Sequence, residues 1–129
     1  MKKEKGFTLI ELLGVIIILG AISLIVVPQI LSIIEKSNKS TFEESVRSVI
    51  RTAENEYTLQ GFENWPEEGI DITSSNLDIK QINTFISGTI IKDSNNKVSV
   101  SNLTNGKYCA NGTKSSLVVE KNTNENCGN

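Results

Sequence analysis

One acidic residue stands where an acid is costly. Glu11 lies in the run from Phe7 to Val27, which holds no other charge. On insertion scales a carboxylate costs about 2.5–3.5 kcal/mol at mid-bilayer, and less near the interface. The chemistry Glu11 calls for is therefore pairing with a cation, and no cation lies within the run. Thiol chemistry is the other candidate: Cys109 and Cys127 enclose 17 residues of an Asn-, Gly- and Thr-rich segment. The sequence has no His, which removes the commonest general base and the commonest metal ligand together. Two thiols without His do not make a metal site. The chain shows no glycine-rich phosphate loop and no nucleophile–base pair, and Asp71 and Asp78 make no convincing carboxylate dyad. The reading is therefore a non-enzyme with no cofactor, no metal and no catalytic residues.

The elements that must position Glu11 and the cysteines follow from length and pattern. The 129 residues allow one modest domain. Phe7–Val27 spans about 32 Å at helical rise, enough for a hydrocarbon core of about 30 Å. Lys2, Lys3 and Lys5 precede it, which places the N-terminus in the cytoplasm and the rest of the chain outside. Three readings compete: a plain membrane anchor, a secretory signal peptide, and a specialised processing signal. Ala21-Ile22-Ser23 is a poor small-residue cleavage site embedded in the run. An anchor gains nothing from Glu11.

The stretch Lys5-Gly6-Phe7-Thr8-Leu9-Ile10-Glu11-Leu12-Leu13, with Pro28 beyond it, closely resembles the signal of the type IV pilin and pseudopilin family, Gram-positive-like in this Lys- and Asn-rich chain. The resemblance implies cleavage between Gly6 and Phe7 by a prepilin peptidase, then N-methylation of Phe7. It implies that Glu11 pairs with the Phe7 amine of a neighbouring subunit. A subunit docked one turn out of place would leave that acid unpaired. Gly14, Gly20 and Pro28 fall where the family has small or helix-breaking residues. Pro28 should kink or break the helix near Leu24, and a static kink and local melting are both open.

The expected organisation is a leader at 1–6, a transmembrane and filament-core helix at 7–28, an amphipathic helix at 29–60 and a globular head at 61–129. Phe42, Val46, Val49, Ile50, Ala53 and Tyr57 share one helical face, and Gly61 ends the helix. Glu43–Arg47 is the favourable four-residue pair there, whereas Arg47–Arg51 is not. Gly61–Gly69 reads as turn with Trp65 either plugging a loop onto the core or anchoring a partner. Residues 70–84 read as an irregular connection with a short strand or helical turn. Candidate strands are Phe85–Lys92, Lys97–Leu103, Lys107–Ala110 and Ser115–Lys121, divided by turns at Asp93–Asn96, Thr104–Gly106 and Asn111–Thr113. The fold class is α+β, a long helix packed on a small antiparallel meander.

Outside the cell the two cysteines meet an oxidising environment, and a bridge between them would add about 3 kcal/mol by loop-closure entropy. The family often staples its C-terminal region in this way; two free thiols are the alternative. Without the leader the charged residues fall from 13 basic and 15 acidic to 10 and 14, a net −4, which does not indicate nucleic acid as a partner. The resemblance implies the membrane, other copies of the chain, the peptidase, an assembly platform protein and a cytoplasmic ATPase as partners. It implies a single-pass membrane precursor and then an extracellular pilus filament. A pilus subunit, a pseudopilin of DNA uptake or type II secretion, and a ligand-binding head remain as three functional readings.

Overall fold

The computed structural model describes residues 4–61, 65–73 and 84–128. Lys2 and Lys3 of the expected leader, part of the 61–69 turn, and most of the 70–84 connection with Asp78 lie outside the described residues. The chain divides into two compact units, residues 1–37 and 38–129.

Helix α1 covers Leu9–Gln60, 52 residues, and contributes to both units. Within the first unit every large apolar side chain is exposed, from Phe7 to Ile34. Gly14, Gly20 and Pro28 all lie inside the helical run, so the proline does not end it. Ser23, the one hydroxyl between Leu12 and Val27, donates to the Leu19 carbonyl at 2.7 Å. That bond satisfies the hydroxyl inside the helix, as an apolar surrounding requires.

In the second unit the helix turns amphipathic. Phe42, Val46, Val49, Ile50 and Ala53 are fully buried and Tyr57 partly so, on the face expected from their spacing. They pack on a five-stranded antiparallel sheet in simple meander order: β1 Ile70–Asp71, β2 Ser87–Lys92, β3 Val98–Thr104, β4 Tyr108–Thr113 and β5 Leu117–Lys121. From the sheet, Ile90, Val98, Val100, Leu103, Tyr108, Ala110 and Val119 face the helix. Phe42 bridges the two layers, with its ring centroid 5.8 Å from Phe85 and 5.7 Å from Tyr108. Trp65 is buried in this core against Tyr57, so it plugs its segment onto the helix end. On the solvent side Arg47 meets Glu43 at 3.7 Å. Arg51 avoids Arg47 by reaching back to Glu44 at 3.5 Å.

Gly61 has φ +77°, the left-handed conformation that stops a helix. One expected turn is displaced. Asn111-Gly112-Thr113 is not a turn; these residues extend β4, and the reversal falls at Thr113–Ser116 instead. Gly112 has φ +117°, and a Cβ there would collide with the Ser116 carbonyl. The glycine is needed because the returning strand passes against its backbone. The connection at residues 70–84 supplies the two-residue strand β1, pairing Ile70 with Ile90.

Two substitutions measure these packing arguments in the full chain held in detergent micelles. Ile50→Ala removes a fully buried side chain and is expected to destabilise the head by about 3 kcal/mol in denaturant unfolding followed by Trp65 fluorescence. Gly112→Ala is expected to cost more than about 1 kcal/mol, since it combines a positive φ with a backbone collision. Breaking the Lys114–Glu54 pair, 3.1 Å apart and part-exposed, is expected to cost no more than about 1 kcal/mol.

Candidate processing and assembly segment

The N-terminal segment places its polar groups in very few positions. Residues 4–8 are not helical, and Lys5, Gly6 and Phe7 are exposed. Helix α1 begins at Leu9, two residues later than Phe7, because Thr8 caps it. The Glu11 backbone N–H donates to Thr8 Oγ1 at 3.3 Å, and the Thr8 backbone N–H donates to Glu11 Oε2 at 3.1 Å. The first helical bond runs from the Leu12 N–H to the Thr8 carbonyl at 3.2 Å. Thr8 and Glu11 thus form a reciprocal capping box, which satisfies two N–H groups at the exposed helix start.

This arrangement gives Glu11 a partner within its own chain. The carboxylate sits in the first turn, where the helix dipole favours negative charge, and accepts a backbone N–H from the same chain. The signal was in the sequence: Thr8-Leu9-Ile10-Glu11 has the T-x-x-E spacing of a capping box directly before an apolar run.

Beyond the cap the segment is an apolar cylinder. Helix α1 is long and apolar enough to cross a membrane by length and composition, and none of its most apolar stretch is buried. That exposure separates it from the core helix of a soluble domain. At Gly14 and Gly20 an added Cβ would meet nothing within 4 Å, so the fold of this chain does not itself require glycine there.

Residues 1–27 match the family described as the prokaryotic N-terminal methylation motif. They carry the type IV pilin and pseudopilin signal. The match ends one residue before Pro28, so the amphipathic half of α1 and the sheet lie outside it. No curated protein and no solved structure matches the chain. Within the pilin-type signal, Gly6, Phe7 and Glu11 occupy the segment just described: an exposed non-helical junction, then an acid one turn into the helix. Such a signal on an exposed apolar helix fits a membrane-anchored precursor.

The cysteines lie elsewhere, in the second unit, joined as a disulfide with their Cα atoms 5.7 Å apart. Among the described residues, no three His, Cys, Asp or Glu side chains gather as metal ligands would.

The capping box predicts a local effect independent of any assembly. In detergent micelles, Thr8→Val is expected to speed amide hydrogen exchange at Glu11 about fivefold, because a lost N-cap costs about 1 kcal/mol. Thr8→Ser is expected to hold the native rate.

Proposed function

We propose that the chain is the structural subunit of a type IV pilus. It is inserted with its N-terminus in the cytoplasm and its head outside, cut between Gly6 and Phe7 by a prepilin peptidase, and N-methylated at Phe7. The subunits polymerise through their apolar helices, with an assembly platform protein and a cytoplasmic ATPase driving extrusion into an extracellular filament. On this reading residues 1–6 are discarded and 7–28 form the membrane segment and later the filament core. Residues 29–60 are the amphipathic half of the helix, and 61–129 complete the head.

One observation carries the proposal: the motif over residues 1–27 runs onto the first stretch of helix α1, where every large apolar side chain as far as Ile34 is exposed. A membrane covers such a surface before assembly, and other copies of the same helix cover it afterwards.

The electrostatic step follows from Glu11. In the uncut chain its carboxylate is held by the Thr8 N–H. Cleavage creates an ammonium at Phe7, and a charge-assisted bond to a cation is roughly twice as strong as one to a neutral donor. The acid then exchanges a local neutral partner for the Phe7 amine of a neighbouring subunit. Register follows, because a misplaced subunit leaves both charges unpaired in an apolar surround. Gly14, Gly20 and Pro28 weaken the intervening helix, each glycine by roughly 1 kcal/mol relative to Ala, which lets it kink or melt as it packs.

Intact-mass analysis of material sheared from cells tests the processing. The mature chain is expected to begin at Phe7 and carry one methyl group, and any other terminus refutes the assignment. Glu11→Gln is expected to leave the head folded and lower filament yield to about a tenth or less. Normal filaments from that variant would refute the charge pairing. Pseudopilins use the same signal, so immunogold labelling must find the chain along long surface fibres; short or absent fibres with lost DNA uptake or secretion would assign it to a pseudopilin instead.

A further inference from the structure

The tail after β5 is folded by two asparagines. The Asn122 side-chain amide donates to the Gly128 carbonyl at 2.7 Å and to the Gly106 carbonyl at 3.2 Å. The Asn122 backbone N–H donates to the Lys107 carbonyl at 2.9 Å, extending the β4–β5 ladder by one rung. Asn126 works from inside the loop. Its Oδ1 accepts the backbone N–H groups of Thr123 and Cys127, each at 2.7 Å, and its Nδ2 donates to the Lys121 carbonyl at 2.8 Å. The Asn126 and Gly128 N–H groups both donate to the Thr123 carbonyl, at 3.3 and 3.0 Å. None of these bonds uses a sulfur atom.

The two sulfurs differ in access. Cys109 is 2 % exposed, on β4 opposite Glu120, whereas Cys127 is half-buried on the loop. The Asn111 side-chain amide lies 3.6 Å from the Cys109 sulfur as a donor, a contact that strengthens when the sulfur is an anion.

We infer that Asn122 and Asn126 are positioning residues that fold the tail and present Cys127 to Cys109, so that Cys127 takes up an external oxidant and Cys109 closes the ring. The Cys127 thiolate attacks a disulfide R–S–S–R; the Cys127–S–S–R bond forms and one RS⁻ leaves. The Cys109 thiolate then attacks the Cys127 sulfur, the Cys109–Cys127 bond forms, and the second RS⁻ leaves. The two protein thiols give up two electrons and two protons, and one R–S–S–R becomes two R–SH. Attack follows thiolate fraction and access, and access favours Cys127.

Oxidised glutathione is the probe, applied to the reduced full chain in detergent micelles, with alkylation quench and intact mass at intervals. Cys109→Ser is expected to accumulate a glutathione adduct at Cys127, and Cys127→Ser to react about tenfold more slowly. Asn122→Ala and Asn126→Ala are expected to slow ring closure, letting the mixed disulfide build up, and to lower the equilibrium constant for the bridge about tenfold. Asn124→Ala, exposed on the same loop, is expected to change neither. Trp65 fluorescence of the reduced variants is expected to report an intact helix–sheet core. Unchanged closure in both asparagine variants, faster reaction at Cys109 than at Cys127, or loss of the core in Asn126→Ala would each overturn the inference.

Discussion

An acid set into an apolar helix constrains everything N-terminal to the head. Its place is narrow: one turn from the helix start, within reach of N–H groups that no helical carbonyl accepts. A carboxylate there gains about 0.3–1 kcal/mol from the helix dipole, an effect that fades within the first turn. Moved one turn further in, Glu11 would lose both the dipole and the Thr8 N–H. The start of the helix and the position of the acid are therefore one constraint. Thr8 fixes the first, Glu11 exploits it, and the chain before Thr8 is left out of the helix.

The chain divides its apolar residues between two destinations. Those from Phe7 to Ile34 are exposed, while the buried core begins at Phe42 and draws on one helical face and one sheet face. Such a core is small, and small domains bury too little surface to be comfortably stable. The C-terminal region adds support of another kind. Cys109–Cys127 ties the tail to β4, and asparagine side chains supply backbone partners that a loop of this length cannot make for itself. The Asn-rich composition has a structural use in these turns. Asn105 Oδ1 accepts two N–H groups between β3 and β4, and Asn102 takes a φ of +52° where the β3–β4 register shifts.

Much of this was legible in the sequence, because the patterns that carried it are local and periodic. The amphipathic face of α1, its stop at Gly61, and the four longer strands follow from spacing and turn residues alone. For Trp65 the sequence leaves plug and partner anchor both open, and its burial against Tyr57 decides for the plug. What failed was of two kinds. The Asn111-Gly112 signal predicts a reversal, but its glycine serves the passage of the Ser116 carbonyl, a neighbour four residues on that spacing does not reveal. The Thr8–Glu11 capping box is legible in its T-x-x-E spacing, but the cost of the charge points first to a distant cation. Its N–H partner lay three residues away.

The capping box bears on how the proposed polymer holds register. An acid wholly without a partner in the precursor would be driven to pair with any cation it met, and selectivity would be poor. An acid already bonded to its own helix start has a modest alternative, so only a well-placed cation displaces it. Discrimination depends on the difference between correct and incorrect partners, not on the strength of the correct one alone. On the proposed reading the Thr8 N–H sets that reference level: strong enough to tolerate the membrane, and weaker than the ammonium that processing creates at Phe7. On that reading, a cap, an acid and a cleavable junction within six residues, Gly6 to Glu11, would keep the precursor quiescent and make assembly dependent on the proposed cut.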